Sequence, residues 1–150
     1  MEEDASARIG RYLDEIGAEA ERSGPRQWAV RVPSTKRGSV AVGVACGDRT
    51  LTLHAFFMRA PDRNHERVHE RLLRKHLATY AWRFALDDLG DLFLVAQTPL
   101  ACVDADELDR LLGTLSTYVD EVYEGVVREG FVVPEGTVIG PPPTGLSDSD

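Results

Sequence analysis

Cysteine is scarce in this chain of 150 residues: Cys46 and Cys102 are the only two, and no CxxC spacing occurs. That excludes a disulfide framework and a cysteine-built zinc module. Both cysteines lie in apolar stretches, so two buried, reduced thiols are expected. No stretch approaches the roughly 20 apolar residues that a membrane-spanning helix needs. The opening Met1-Glu2-Glu3-Asp4 is acidic and has no apolar run of the kind a secretory leader carries. The nucleophile elbow GxSxG, the P-loop and GxGxxG are missing, and Gly38, Gly43 and Gly47 do not form a phosphate-binding pattern. Basic residues are outnumbered: 17 Lys plus Arg stand against 25 Asp plus Glu, a net charge of −8. An acidic domain repels nucleic-acid phosphates and anionic lipid surfaces. A cytoplasmic protein with no nucleic-acid partner, no membrane partner and no cofactor is therefore expected.

What is present is an ordinary globular composition, 43% apolar and 28% charged. The length suits one domain over residues 1–133, followed by a tail over 134–150 rich in Pro, Gly, Ser and Asp that reads as disordered. Charge is unevenly placed. Residues 59–83 hold 7 basic and 3 acidic groups, whereas residues 84–150 hold 2 basic and 14 acidic groups. The basic segment is expected to face the acidic third helix of its own fold.

Periodicity predicts a helix over residues 5 to 23, with Ile9, Tyr12, Leu13, Ile16 and Ala20 on one face. Three alternating strands follow: Trp28 to Val32, Val40 to Cys46, and Leu51 to Met58. Their short connections make an antiparallel meander. The third is apolar on both faces. One face packs on helices, and the other, bearing Phe56 and Met58, needs cover from a dimer partner, a bound peptide or another part of the chain. A second helix is predicted over residues 65 to 79, with Asn64 as N-cap and Val68, Leu72, Leu73 and Leu77 as its apolar stripe. Arg63, Arg67, Arg71 and Lys75 form a basic row on it, which reads as a solvated face. Strands at Trp82 to Leu86 and Leu92 to Ala96 flank an Asp87–Asp91 hairpin turn, whose acidic residues lack calcium-loop spacing. The third helix runs from N-cap Asp104, with Glu107 completing a capping box, to about Glu129. The fold class is α+β: a single antiparallel sheet of about five strands, with elements in the order α-β-β-β-α-β-β-α.

One motif points to enzyme chemistry. His65-Glu66-Arg67-Val68-His69 reads H-E-x-x-H, which on a helix puts two imidazoles on one face for zinc, with Glu66 as general base. This is the alternative reading, a zinc-dependent hydrolase with His65 and His69 as metal ligands. Against it stand the polar surroundings, the cation at Arg67 inside the motif and the lack of a third ligand at the expected spacing: position 75 is Lys, and His76 is one residue late. The motif reads as a chance match. His65, His69 and His76 are expected to border the core or an interface, and His54 to pack in its strand or face solvent.

Several stretches together resemble the YbjN-like domain of actinobacterial proteins: Asn64-His65-Glu66, Leu72-Leu73-Arg74, Phe84-Ala85-Leu86-Asp87, Leu89 to Val95, Pro99-Leu100-Ala101 and Glu107 to Gly113. The likeness is close over Pro61 to Phe131 and looser upstream. That family is similar in fold to the type III secretion chaperones, which are small, acidic, mostly homodimeric and hold extended client segments on apolar patches of the sheet and first helix. The resemblance implies a non-enzymatic, chaperone-like or regulatory domain that binds a protein or peptide client and forms a homodimer. It carries no catalytic residues over to this chain and no secretion role. The candidate binding residues are Phe56 and Met58.

Overall fold

A computed structural model describes residues 4–132; the predicted tail lies outside them. Helix α1 spans Ala5–Glu15, capped by Asp4, whose carboxylate accepts the Ser6 N–H at 3.2 Å. It stops well short of residue 23. Gly17 adopts φ +70°, the Gly17 N–H donates to Asp14 O, and the Ala18 N–H reaches back to Leu13 O at 3.0 Å. This double bond pattern around a left-handed glycine is a Schellman ending. The residues beyond it, Glu19–Gly24, form an edge strand, β1. Ala20, expected on the helix's apolar face, is exposed there.

Strands β2 (Gln27–Ser34), β3 (Gly38–Cys46) and β4 (Thr50–Met58) form the expected meander. After α2 (His65–Lys75) and a 3-10 turn at His76–Ala78 come β5 (Arg83–Leu86) and β6 (Leu92–Pro99). Helix α3 covers Ala105–Gly130. The sheet has six strands in the order β1-β2-β3-β4-β6-β5, with every pairing antiparallel. The α+β architecture stands as expected, with β1 added at one edge and β6 internal.

Alternation sorts the strands cleanly. Val30, Val32, Val40, Val42, Val44, Leu51, Leu53, Ala55, Leu92, Leu94 and Ala96 point into one core. On this face α3 lies against β2, α1 and α2. Its Leu108, Leu111, Leu115, Val119 and Val126 are fully buried, and at roughly 1.5–3 kcal/mol per buried aliphatic side chain this stripe is a main source of stability. Asp104 caps α3 by accepting the Glu107 N–H at 2.8 Å. The Glu107 carboxylate does not close the capping box. It accepts the Tyr80 hydroxyl instead, at 2.5 Å. Trp82, also buried, donates its indole N–H to Leu111 O at 2.8 Å. The backbone between these two anchors is held with Ala81 at φ +64°.

The basic row of α2 is solvent-exposed at Arg63, Arg67 and Arg71, as expected of a solvated face, but two of its members also reach α3. Arg71 pairs with Glu129 at 3.1 Å and Lys75 with Glu121 at 2.6 Å, both on α3. Gly125 makes room for the first of these, since a Cβ there would lie 2.8 Å from the Arg71 guanidinium. The expected attraction between basic and acidic segments is thus internal. Asn64 occupies the N-cap position of α2 but in the left-handed region, and its side-chain amide donates to Glu129 O at 2.7 Å rather than capping its own helix. Beside it Asp62 accepts from Arg59 and from the Val132 N–H, and these bonds hold its pKa down at about 2. Cys46 is buried as expected. Cys102 is exposed, because it ends the short 3-10 turn Leu100–Cys102 rather than a strand.

Candidate functional site

Helices cover one face of the sheet and, among the described residues, leave the other open. Cross-strand pairing places Phe56 opposite Phe93 and His54 opposite Val95 on that open face. The Phe56 ring meets Phe93 edge-on, with centroids 5.5 Å apart at 79°, and Phe93 stacks on His54 at 5.2 Å and 18°. Phe56 remains 39% exposed. The neighbouring strand offers only small side chains here, Gly43 opposite His54 and Ala45 opposite Thr52. The aromatic ridge therefore borders a shallow trough of about 320 Å³ whose floor and walls include Gln27, Gly43, Ala45, Thr52, His54 and Val95. An apolar ridge beside a trough of small residues suits van der Waals capture of another chain's side chains.

Met58 does not join this face. The pairing slips between Phe56, opposite Phe93, and Met58, opposite Leu92, so Phe57 is the extra residue of a bulge. The bulge turns Met58 to the core side, where it is 8% exposed, next to fully buried Phe57. Arg37 holds the distortion, donating Nε–H to Phe57 O at 3.0 Å and a second N–H to Ser39 O. Burial pushes the Arg37 pKa down from its usual value, with the nearby Tyr123 hydroxyl opposing. The hairpin that carries Arg37 is itself anchored, because Asp120 on α3 accepts from Ser34 Oγ at 2.6 Å, Thr35 Oγ1 at 2.9 Å and Lys36 N at 3.1 Å. Of the two residues expected to form a binding face, only Phe56 is presented. Sequence reasoning missed Phe93 and His54 as its companions, although strict alternation along Leu92–Ala96 puts Phe93 and Val95 on the outer side.

The H-E-x-x-H residues sit on the exposed first turns of α2. The His65 and His69 rings lie 6.4 Å apart at 64° to one another. His69 Nε2 is buried without a hydrogen-bond partner among the described residues. His76 is engaged elsewhere, accepting the Phe84 N–H at Nε2 (2.8 Å) and stacking on the Phe84 ring at 5.9 Å. Burial and then the charge of Arg83 lower its pKa. Among the described residues no trio of His, Cys, Asp or Glu is placed to share a metal ion. The α2 stripe is also narrower than expected: Val68 and Leu72 are buried, while Leu73 is 65% and Leu77 95% exposed. Leu86, on the sheet edge that His76 abuts, is half exposed. No helix among the described residues is long and apolar enough to cross a membrane.

Comparison with known proteins agrees with this architecture. A chain in the crystal structure of the Yersinia pestis type III secretion chaperone SycH with a fragment of YscM2 superposes at a TM-score of 0.54, with 19% identity, covering 81% of this chain and 98% of that one. A chain of the HopA1–SchA chaperone–effector complex gives 0.60 at 13% identity, covering 79% and 91%. YbjN from E. coli gives 0.57 at 14% identity, covering 78% and 90%. At such identities these likenesses establish the fold. In sequence, an uncharacterised protein of Mycobacterium tuberculosis is 35% identical over 107 residues, 71% of this chain and 58% of the relative. One of Mycobacterium leprae is 33% identical over 102 residues, 68% of this chain and 55% of the relative. The chain thus spans somewhat over half the length of these curated relatives. The family model YbjN, described as "Putative bacterial sensory transduction regulator", matches residues 5–128, nearly the whole described domain, and the chain belongs to the YbjN family.

Proposed function

We propose that this domain is a non-enzymatic, cytoplasmic protein-binding module that holds an extended or partly unfolded segment of a client protein. The observation that carries the reading is the exposed Phe56–Phe93–His54 ridge on a sheet face that the described helices leave bare. Apolar aromatic surface of this kind is costly to leave in water and is a usual mark of a docking site. SycH is a chaperone seen with a YscM2 fragment, and a chain of the HopA1–SchA chaperone–effector complex shares the fold, so this fold occurs in complexes with protein partners. The unpaired Cys46 and Cys102 fit a reducing compartment.

The domain acts as a homodimer in this reading. Leu73 on α2 and Leu77 on the 3-10 turn that follows it, with Leu86 on edge strand β5, supply exposed apolar surface separate from the aromatic ridge, and a second copy of the chain is its occupant. Fluorescence anisotropy of a labelled unfolded protein, reduced and carboxymethylated α-lactalbumin, tests the client site. The intact domain is expected to bind it, and Phe56→Asp is expected to weaken binding at least tenfold while circular dichroism shows the fold unchanged. Equal binding by the folded variant would refute the assignment.

A further inference from the structure

The sheet has a second opening, on the helix side and away from the aromatic ridge. Strand β1 begins at Glu19, opposite Arg31, so β2 runs on through Val32, Pro33 and Ser34 with β3 on one side and, among the described residues, no strand on the other. A groove of about 580 Å³ occupies this bay, within the range of about 300–1,000 Å³ typical of ligand clefts. Ile16, Ala18, Val30, Val32, Pro33 and Leu112 give it an apolar lining. Gly17, Gly38 and Gly113 also line it, which lets a main chain come close. A Cβ built on either Gly17 or Gly113 meets no atom within 4 Å.

The charges at the rim choose among occupants. Glu19 and Arg31 face each other at 3.7 Å and offset one another. Asp109 on α3 lines the groove with no ion-pair partner among the described residues. The whole chain adds a net charge of −8. A basic side chain placed over Asp109 is favoured, and an acidic one is repelled.

We infer that this groove is a second docking site, taking an extended, aliphatic partner segment that carries a lysine or arginine beside its apolar residues. The inference rests on the protein-binding reading and adds the chemistry of the segment bound. An extended segment suits the bay because it can run between α3 and β2 with its side chains on the apolar lining; Pro33 has no N–H and its carbonyl accepts from Ser116 Oγ at 2.7 Å, so side chains rather than strand pairing make the contact. The basic residue supplies selectivity at Asp109, and the aliphatic side chains supply contact with the lining.

Two fluorescein-labelled 12-residue peptides test it, both alternating Val and Leu with polar positions, one bearing two lysines and the other two glutamates in their place. The lysine peptide is expected to bind at least tenfold more tightly than the glutamate peptide. Asp109→Lys is expected to abolish or invert that preference. Gly113→Leu fills the groove from an open position and raises helix propensity, so the variant should fold. It is expected to cut binding of the lysine peptide at least tenfold. Full binding by a folded Gly113→Leu variant, or no binding of either peptide by the intact protein, would overturn the groove assignment. Loss in Phe56→Asp with retention in Gly113→Leu would also overturn it, yet would leave the protein-binding reading standing on the aromatic ridge alone.

Discussion

Phe56 and Phe57 are neighbours in sequence and opposite in role, so paired alanine substitutions test the assignment of faces directly. Phe57 is 1% exposed and packs edge-on against Phe84 at 5.5 Å and Tyr123 at 6.5 Å. Truncating a buried Phe of this kind costs about 3–5 kcal/mol through lost transfer energy and the cavity left behind. Set against a typical stability of about 5–15 kcal/mol, that is severe. At about 2–4 °C per kcal/mol for a chain of this size, Phe57→Ala should lower Tm by about 6–20 °C. Phe56 is 39% exposed and has one ring partner of note, Phe93. An edge-to-face pair contributes about 0.5–1.5 kcal/mol beyond burial, so Phe56→Ala should cost about 1–2 kcal/mol and lower Tm by no more than about 8 °C. Thermal unfolding followed by circular dichroism, supported by urea titration, measures both. Equal losses at the two positions would refute the open face, because Phe56 would then be core.

Three further outcomes follow from local geometry. Arg37→Met removes the donor to the bulge carbonyl of Phe57 while keeping the apolar stem, and should cost about 1–3 kcal/mol in urea unfolding. Ala81→Gly relieves a left-handed alanine and should raise stability by about 1 kcal/mol, a small rise in Tm in the same assay. His76 accepts a hydrogen bond in its neutral form and its pKa is lowered on folding, so the unfolded chain takes up the proton first. Stability contributed at this site is complete above about pH 6.5 and falls as the pH drops from there through the lowered folded value. Urea midpoints between pH 7.5 and 5 should therefore decline less in His76→Gln than in the parent chain.

Much of the fold is visible in the sequence because burial imposes a period. Leu108, Leu111, Leu115, Val119 and Val126 mark α3 at helical spacing, and β2 to β4 alternate without error as far as Phe56. The misreadings occur where burial imposes none. Strand β1 is exposed through Ser23, so it has no alternation to show, and its Ala20 happens to continue the helical stripe of α1. Gly17 was the available signal for the break. The Phe57 bulge leaves no mark in composition, since Phe57 and Met58 continue the alternation that the bulge interrupts, and its support comes from Arg37, 20 residues earlier. The His65–His69 spacing is legible but carries no information on a third ligand, which depends on what α2 packs against.

Native mass spectrometry of the protein purified without added metal, alone and mixed with reduced, carboxymethylated α-lactalbumin, tests the central claim most directly. The account predicts a metal-free species at twice the 16.6 kDa chain mass that takes up the unfolded protein. A single 16.6 kDa chain that retains one zinc after dialysis and takes up no client would contradict it, and would make His65 and His69 metal ligands instead.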